Sequence, residues 1–208
     1  MIDKQKLIVR LNNSRLIHSL NIDNIPHRQF LDLIVTYDLI ISSSKEGMWR
    51  RTITNDDMEE LMVSEEDLYR LAKKNTKELF PSYVKPLYKV IQILSGLNEE
   101  ADPDIPAEEM PYVVSNKNNC FGAHVMLYPE IFSDLANKLE ADLFILPSSI
   151  HEVMAISTKS GVEVSDLTTM VHEINGKEVA LNEQLGDSVY YFSRETGEIT
   201  IAAKYENK

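Results

Sequence analysis

From residue 31 to 41 the chain alternates: Leu31, Leu33, Val35, Tyr37, Leu39 and Ile41 recur at every second position, with Asp32, Thr36 and Asp38 among the residues between them. A period of two is that of a strand whose side chains point alternately to opposite faces, so this stretch predicts a long strand with one apolar face. Residues 42–47 are turn material, and residues 48–54 return as an antiparallel partner. Residues 7–20 mix apolar pairs with Asn12 and Asn13, follow neither period cleanly, and are read as helix. Thr54 or Asn55 caps a short acidic helical turn ending at Met62. Ser64 opens a second helix with Asp67 in capping-box position and acids in the first turn, where the helix dipole favours them. Its inward stripe is Leu68, Leu71, Ala72, Asn75 and Leu79. Beyond Pro81 and Pro86, Leu87, Val90, Ile91 and Leu94 form one more helical face, ending at Gly96.

Residues 98–110 break the pattern with six acids and two prolines among few large apolar groups. Such a segment buries too little to order itself and is read as a solvated linker or loop. It divides an N-terminal α+β region, residues 1–97, from a C-terminal α+β domain, residues 111–208. In the latter, residues 111–115 and 120–128 read as strands around a polar turn, and Pro129 suits the first position of a helix with stripe Ile131, Phe132, Leu135 and Leu139. Residues 143–146 are apolar throughout, as in a mid-sheet strand buried on both faces. Pro147 offers no N–H to a ladder, Ser148 and Ser149 suit a bend, and residues 150–156 resume as a strand on which His151 and Glu152 point opposite ways. A helix capped at Ser165 carries the stripe Leu167, Met170, Val171 and Ile174 and closes at Asn175-Gly176. Residues 188–192 and 199–202 form a hairpin turned at Gly197. The C-terminal half thus reads β-β-α-β-β-α-β-β, and the chain as α+β, with helices packed on a mostly antiparallel sheet.

Composition narrows the class. At 208 residues, 43% hydrophobic and 26% charged, the chain is globular material. The single cysteine, Cys120, forms no intramolecular disulfide, which suits a reducing cytoplasm, and no run approaches the roughly 20 apolar residues of a membrane helix. Net charge is −12, unevenly spread: residues 1–97 carry 14 Lys or Arg against 13 Asp or Glu, and residues 98–208 carry 7 against 20. An acidic half repels phosphate backbones, so nucleic acid is not an expected partner.

Candidate chemistry gathers at the 147–152 bend. Ser148 or Ser149 beside His151 invites a hydrolase, because a nucleophilic hydroxyl needs a base in hydrogen-bond reach and an acid to orient it. Glu152 points away on a regular strand, which leaves Asp187 as the candidate acid, and no G-x-S-x-G elbow presents either serine. A metal centre is not expected. Cys120 and His124 on one strand stand about 13 Å apart, and His172 falls opposite its helix's apolar stripe, toward solvent. Seven glycines, none clustered between a strand and a helix, exclude both Gly-rich phosphate loops, and no cofactor is expected. Trp49, followed by Arg50 and Arg51, has the composition of an interface anchor.

The stretch L-P-S-S-I-H-E-V, with N-K-N-N-C-F-G-A before it, G-D-S-V-Y-Y after it, and P-H-R-Q-F-L-D-L and V-S-E-E-D-L-Y-R-L-A-K-K-N-T upstream, resembles a bacterial family catalogued only as a domain of unknown function. Members carry a further N-terminal region, so the chain resembles their C-terminal two-thirds. The resemblance implies a bacterial cytoplasmic protein and brings no activity, cofactor or site with it. With a well-patterned core and no assembled catalytic set, the chain reads as a non-enzymatic module that binds another protein or itself; the alternative is a hydrolase using Ser148 or Ser149 with His151.

Overall fold

A computed structural model of the chain describes residues 2–16, 21–44, 47–96 and 103–205, with the side chain of Ser148 left out. The chain is α+β and forms two compact units, Met1–Pro81 and Ser82–Lys208. The division falls ahead of the acidic 98–110 stretch because residues 82–86 pair into the C-terminal sheet. Of that stretch, residues 98–102 lie outside the described residues, and residues 103–110 form neither helix nor strand. Among the described residues no helix is long and apolar enough to cross a membrane.

In the first unit the predicted long strand is β3, Leu33–Ser44, flanked on one side by β1, Leu7–Asn13, and on the other by β2, His27–Phe30, and β4, Gly47–Thr52, all antiparallel. β1 corrects the helix expected over residues 7–20, of which 17–20 lie outside the described residues. Six of its seven residues are buried, so both faces are covered and the polar half of a period-two pattern is missing. The asparagine that blurred the signal is satisfied in place: Asn12 Nδ2 donates to Thr36 Oγ1 on β3 at 2.8 Å.

Two helices follow as predicted: α1, Asn55–Leu61, with a capping box between Thr54 and Asp57, and α2, Glu65–Leu79, capped by Ser64. α2 closes the free edge of β1. Asn75 Nδ2 donates to the Lys4 and Leu7 carbonyls at 2.8 and 3.0 Å, and Thr76 Oγ1 accepts from the Val9 N–H at 2.9 Å. An exposed strand edge is a template for unwanted pairing, and side-chain amide and hydroxyl groups here take the place of a further strand. On β3, Asp38 is fully buried between Arg10, whose Nε lies 3.4 Å from its carboxylate, and Arg50, which donates to the same oxygen.

The second unit is a six-stranded antiparallel sheet. Its strands are β5, Ser82–Pro86; β6, Tyr112–Asn116; β7, Leu143–Ser149; β8, Glu152–Ser157; β9, Ser188–Phe192; and β10, Ile199–Lys204. They lie in the order β10-β9-β7-β8-β6-β5, which puts β7 mid-sheet as its unbroken apolar run predicts. α4, Pro129–Leu139, begins on its proline and packs Phe132 against Phe192, ring centroids 6.0 Å apart, on one face. α5, Val164–Glu178, covers the other with Leu167 and Val171 on Leu146, Ile156 and Val189. α3, Leu87–Ser95, ends at Gly96 as predicted.

The C-terminal order holds apart from one element. Residues 120–128 are not a strand; Gly122–Leu127 is a buried 3-10 helix, and the missing strand is supplied by β5, whose five residues the prolines at 81 and 86 disguised. α5 also runs past Asn175-Gly176. Asn175 is buried and its Nδ2 donates to the Gly186 carbonyl and to Asp187 Oδ1 at 2.8 and 2.9 Å, so the side chain that suggested a helix stop anchors the following loop instead.

Candidate functional site

β7 and β8 pair regularly to Leu146↔Met154, then shift register before Ser149↔Glu152. Ile150 and His151 form the turn, so β8 begins two residues later than the alternation suggested. A turn this deep must find partners for its backbone groups. The Ile150 N–H donates to the Glu183 carbonyl at 2.8 Å, and the Ile150 carbonyl accepts from the Ala123 N–H at 3.1 Å. The His151 carbonyl accepts from Ser115 Oγ at 2.8 Å, and the His151 N–H donates to Ser149 Oγ at 3.0 Å.

The ring of His151 is equally occupied. Its Nδ1 accepts from the Phe121 N–H at 3.1 Å, which places the neutral ring's proton on Nε2, 3.6 Å from Glu183 Oε1. The Phe121 ring lies alongside, centroids 5.4 Å apart. The acid that meets His151 is therefore Glu183. Asp187 instead meets the second histidine, its Oδ2 3.9 Å from His172 Nδ1, and His172 stacks on Tyr205 with ring centroids 3.7 Å apart. Cys120 precedes the 3-10 helix, and within that helix His124 is buried with its Nδ1 at 2.8 Å from the Phe121 carbonyl. Burial pushes the His124 imidazole below its ordinary range, and that carbonyl opposes the shift. Among the described residues no group of three or more His, Cys, Asp or Glu is placed to hold a metal ion.

Phe121, Ser115, Gly122 and Glu183 thus belong to the bend without having been singled out as site residues. Phe121 and Gly122 stood in the F-G-A string, but nothing local said that they touch His151. The contacts make a specific expectation. His151→Ala removes the acceptor of the Phe121 N–H and costs about 1–3 kcal/mol, a fall of several degrees in a thermal melt; an unchanged midpoint would show that the bend needs no histidine.

A second feature lies at the other end of the sheet. α3 packs against β5 and β6 without burying any residue: Ile91, Ile93 and Leu94 are 52%, 64% and 79% exposed. Between helix and sheet runs a groove of about 400 Å³, with Val90, Ile93 and Leu94 on one wall and Tyr83, Lys85 and Glu152 on the other. Burial pushes the Tyr83 hydroxyl above its ordinary range, and the Glu152 carboxylate adds to the shift. Glu152 and His151 do face different surroundings, one in the groove and one under Phe121.

Together these features define an α+β protein with one antiparallel sheet per unit. In the second unit the sheet's central turn is engaged at Ser149, Ile150 and His151 by its own loops, and an apolar groove stands open near one edge. The chain belongs to a family of unknown function, DUF5688, whose model matches residues 4–194. No curated protein and no solved structure matches it.

Proposed function

We propose that the chain is a non-enzymatic protein-interaction or self-assembly module of the bacterial cytoplasm. The observation that carries this reading is α3, a nine-residue helix with an apolar stripe and no buried residue. Single exposed leucines are ordinary, but contiguous apolar side chains on an uncovered helix are the usual mark of a contact surface. Trp49, 77% exposed on β4, offers a second anchor in the first unit. The engagement of Ser149 and His151 points the same way. The serine oxygen accepts from backbone and the imidazole Nδ1 is already an acceptor, so neither contact is the hydroxyl-to-imidazole bond that activates a nucleophile. The single cysteine suits a reducing compartment.

Sedimentation velocity and a pulldown from native cell extract, with wild type and Leu94→Asp in parallel, test the reading. Wild type is expected to self-associate or to retain a specific partner, and Leu94→Asp to lose it. A strictly monomeric wild type that retains nothing specific overturns the module. Labelling of Ser148 or Ser149 by a fluorophosphonate probe would establish the hydrolase in its place.

A further inference from the structure

The groove beside α3 lies in a local reversal of charge. Residues 82–208 carry nine Lys or Arg against 20 Asp or Glu, yet residues 82–96 carry Lys85 and Lys89 and no acid. Lys85 and Lys117 both line the groove. Lys85 Nζ stands 4.9 Å from the centroid of the Tyr83 ring, and neither lysine pairs with a carboxylate among the described residues. A strongly acidic unit has therefore placed two ammonium groups without carboxylate partners at the rim of its open apolar groove.

From this complementarity we infer that the groove takes an acidic amphipathic segment of a partner protein. Its apolar side chains lie against Val90, Ile93 and Leu94, and its carboxylates meet Lys85 and Lys117. The inference rests on the module reading above and names the partner's chemistry. α3 spans about 13 Å at 1.5 Å per residue, the length of two to three turns of a partner helix laid alongside with apolar anchors at i, i+3 or i+4, and i+7. Glu152, which also lines the groove, repels the partner's acids from its own position and leaves Lys85 and Lys117 as the places for them. An anionic lipid surface fits less well, because Ile93 and Leu94 line a concavity. A membrane is extended and would also meet more of a unit that carries 20 Asp or Glu against nine Lys or Arg, whereas a short segment meets only what lies within the roughly 8 Å screening length.

The test uses the full chain and fluorescently labelled synthetic peptides of about 12 residues, with leucines at the anchor spacing. One peptide carries Glu at the other positions, one carries Lys, and one keeps Glu but has Ala at the anchors. Anisotropy titrations are expected to show binding of the acidic leucine peptide alone, weakened by salt and at least about tenfold weaker for Lys85→Glu/Lys117→Glu and for Leu94→Asp. No α3 residue is buried and both lysines are exposed, so these variants should melt with wild type, which circular dichroism checks. The proposal is overturned if the Lys peptide binds as tightly, if the lysine double variant binds unchanged, or if the acidic peptide does not bind. Sedimentation of the chain with phosphatidylglycerol vesicles through the same residues would likewise overturn it, by assigning the face to lipid. Should the acidic peptide fail while Leu94→Asp still abolishes self-association or partner retention, the module reading stands and only the partner's chemistry falls.

Discussion

Replacing Gly122 with alanine is expected to cost the C-terminal unit about 3 kcal/mol, although the change adds a single methyl group. A Cβ at this position would stand 2.2 Å from Ser115 Oγ and 2.3 Å from the His151 carbonyl oxygen. Either contact is well inside van der Waals separation, and neither neighbour can yield cheaply. Moving Ser115 breaks its hydrogen bond to that carbonyl. Moving the carbonyl displaces a turn tied at the same time to Phe121, Ala123 and Glu183. Gly176→Ala is the internal control: it lies within α5, nothing stands within 4 Å of an added Cβ, and a helical alanine should gain about 0.5–1 kcal/mol there. Urea unfolding should show the midpoint falling for Gly122→Ala and rising for Gly176→Ala, with m unchanged in both. Equal midpoints for the two variants would sink the account of the bend.

Asp38→Ala is expected to destabilise the first unit by about 3–5 kcal/mol, because it strips the carboxylate from two arginines while leaving them in place. Burial already pushes the Arg10 guanidinium below its ordinary range, Arg50 adds to the shift, and the Asp38 charge is what opposes it. Without that charge the desolvation of Arg10 stands with less to balance it. Asp38→Asn should fare little better, since an amide brings its own N–H groups toward two donors. Hydrogen exchange across residues 33–44 reads the effect directly: protection of β3 should collapse in both variants and persist in Arg51→Ala, whose side chain pairs with Asp57 near the surface. If β3 remains as protected in Asp38→Ala as in wild type, the buried carboxylate is not what holds the sheet.

The parts of the fold legible in the sequence are those whose signal is local. Residues 33–39 alternate, Thr54 and Ser64 are followed by aspartate at the third position, and Pro129 and Gly96 stand where a helix starts and ends; each of these governs its own few residues. What was hidden depends on distant partners. β1 lost its period because both of its faces are covered. Residues 120–128 read as a strand, but Gly122 must approach Ser115 and His151, and a tight 3-10 coil does this. The 147–152 bend could be placed from Pro147 and its serines, whereas Phe121 and Glu183, which close on it, lie some 30 residues away on either side. On α3 the spacing of Leu87, Val90, Ile91 and Leu94 revealed a stripe. Whether a neighbour covers a stripe is not a property of the stripe, and here none of its residues is buried.

The strand order β10-β9-β7-β8-β6-β5 bears on how the chain is made. A ribosome delivers β5 and β6 early, yet among the described residues the only other strand that β6 pairs with is β8, beyond α4 and β7. Until Glu152–Ser157 have left the exit tunnel, β5 and β6 are a two-stranded ribbon with an open edge and an apolar helix between them, too small to be stable alone. Met1–Pro81 needs no later residue to complete its sheet and can fold during that wait. The nascent C-terminal unit cannot, and the open edge of β6 has no strand to pair with while the chain lies between Asn116 and Glu152.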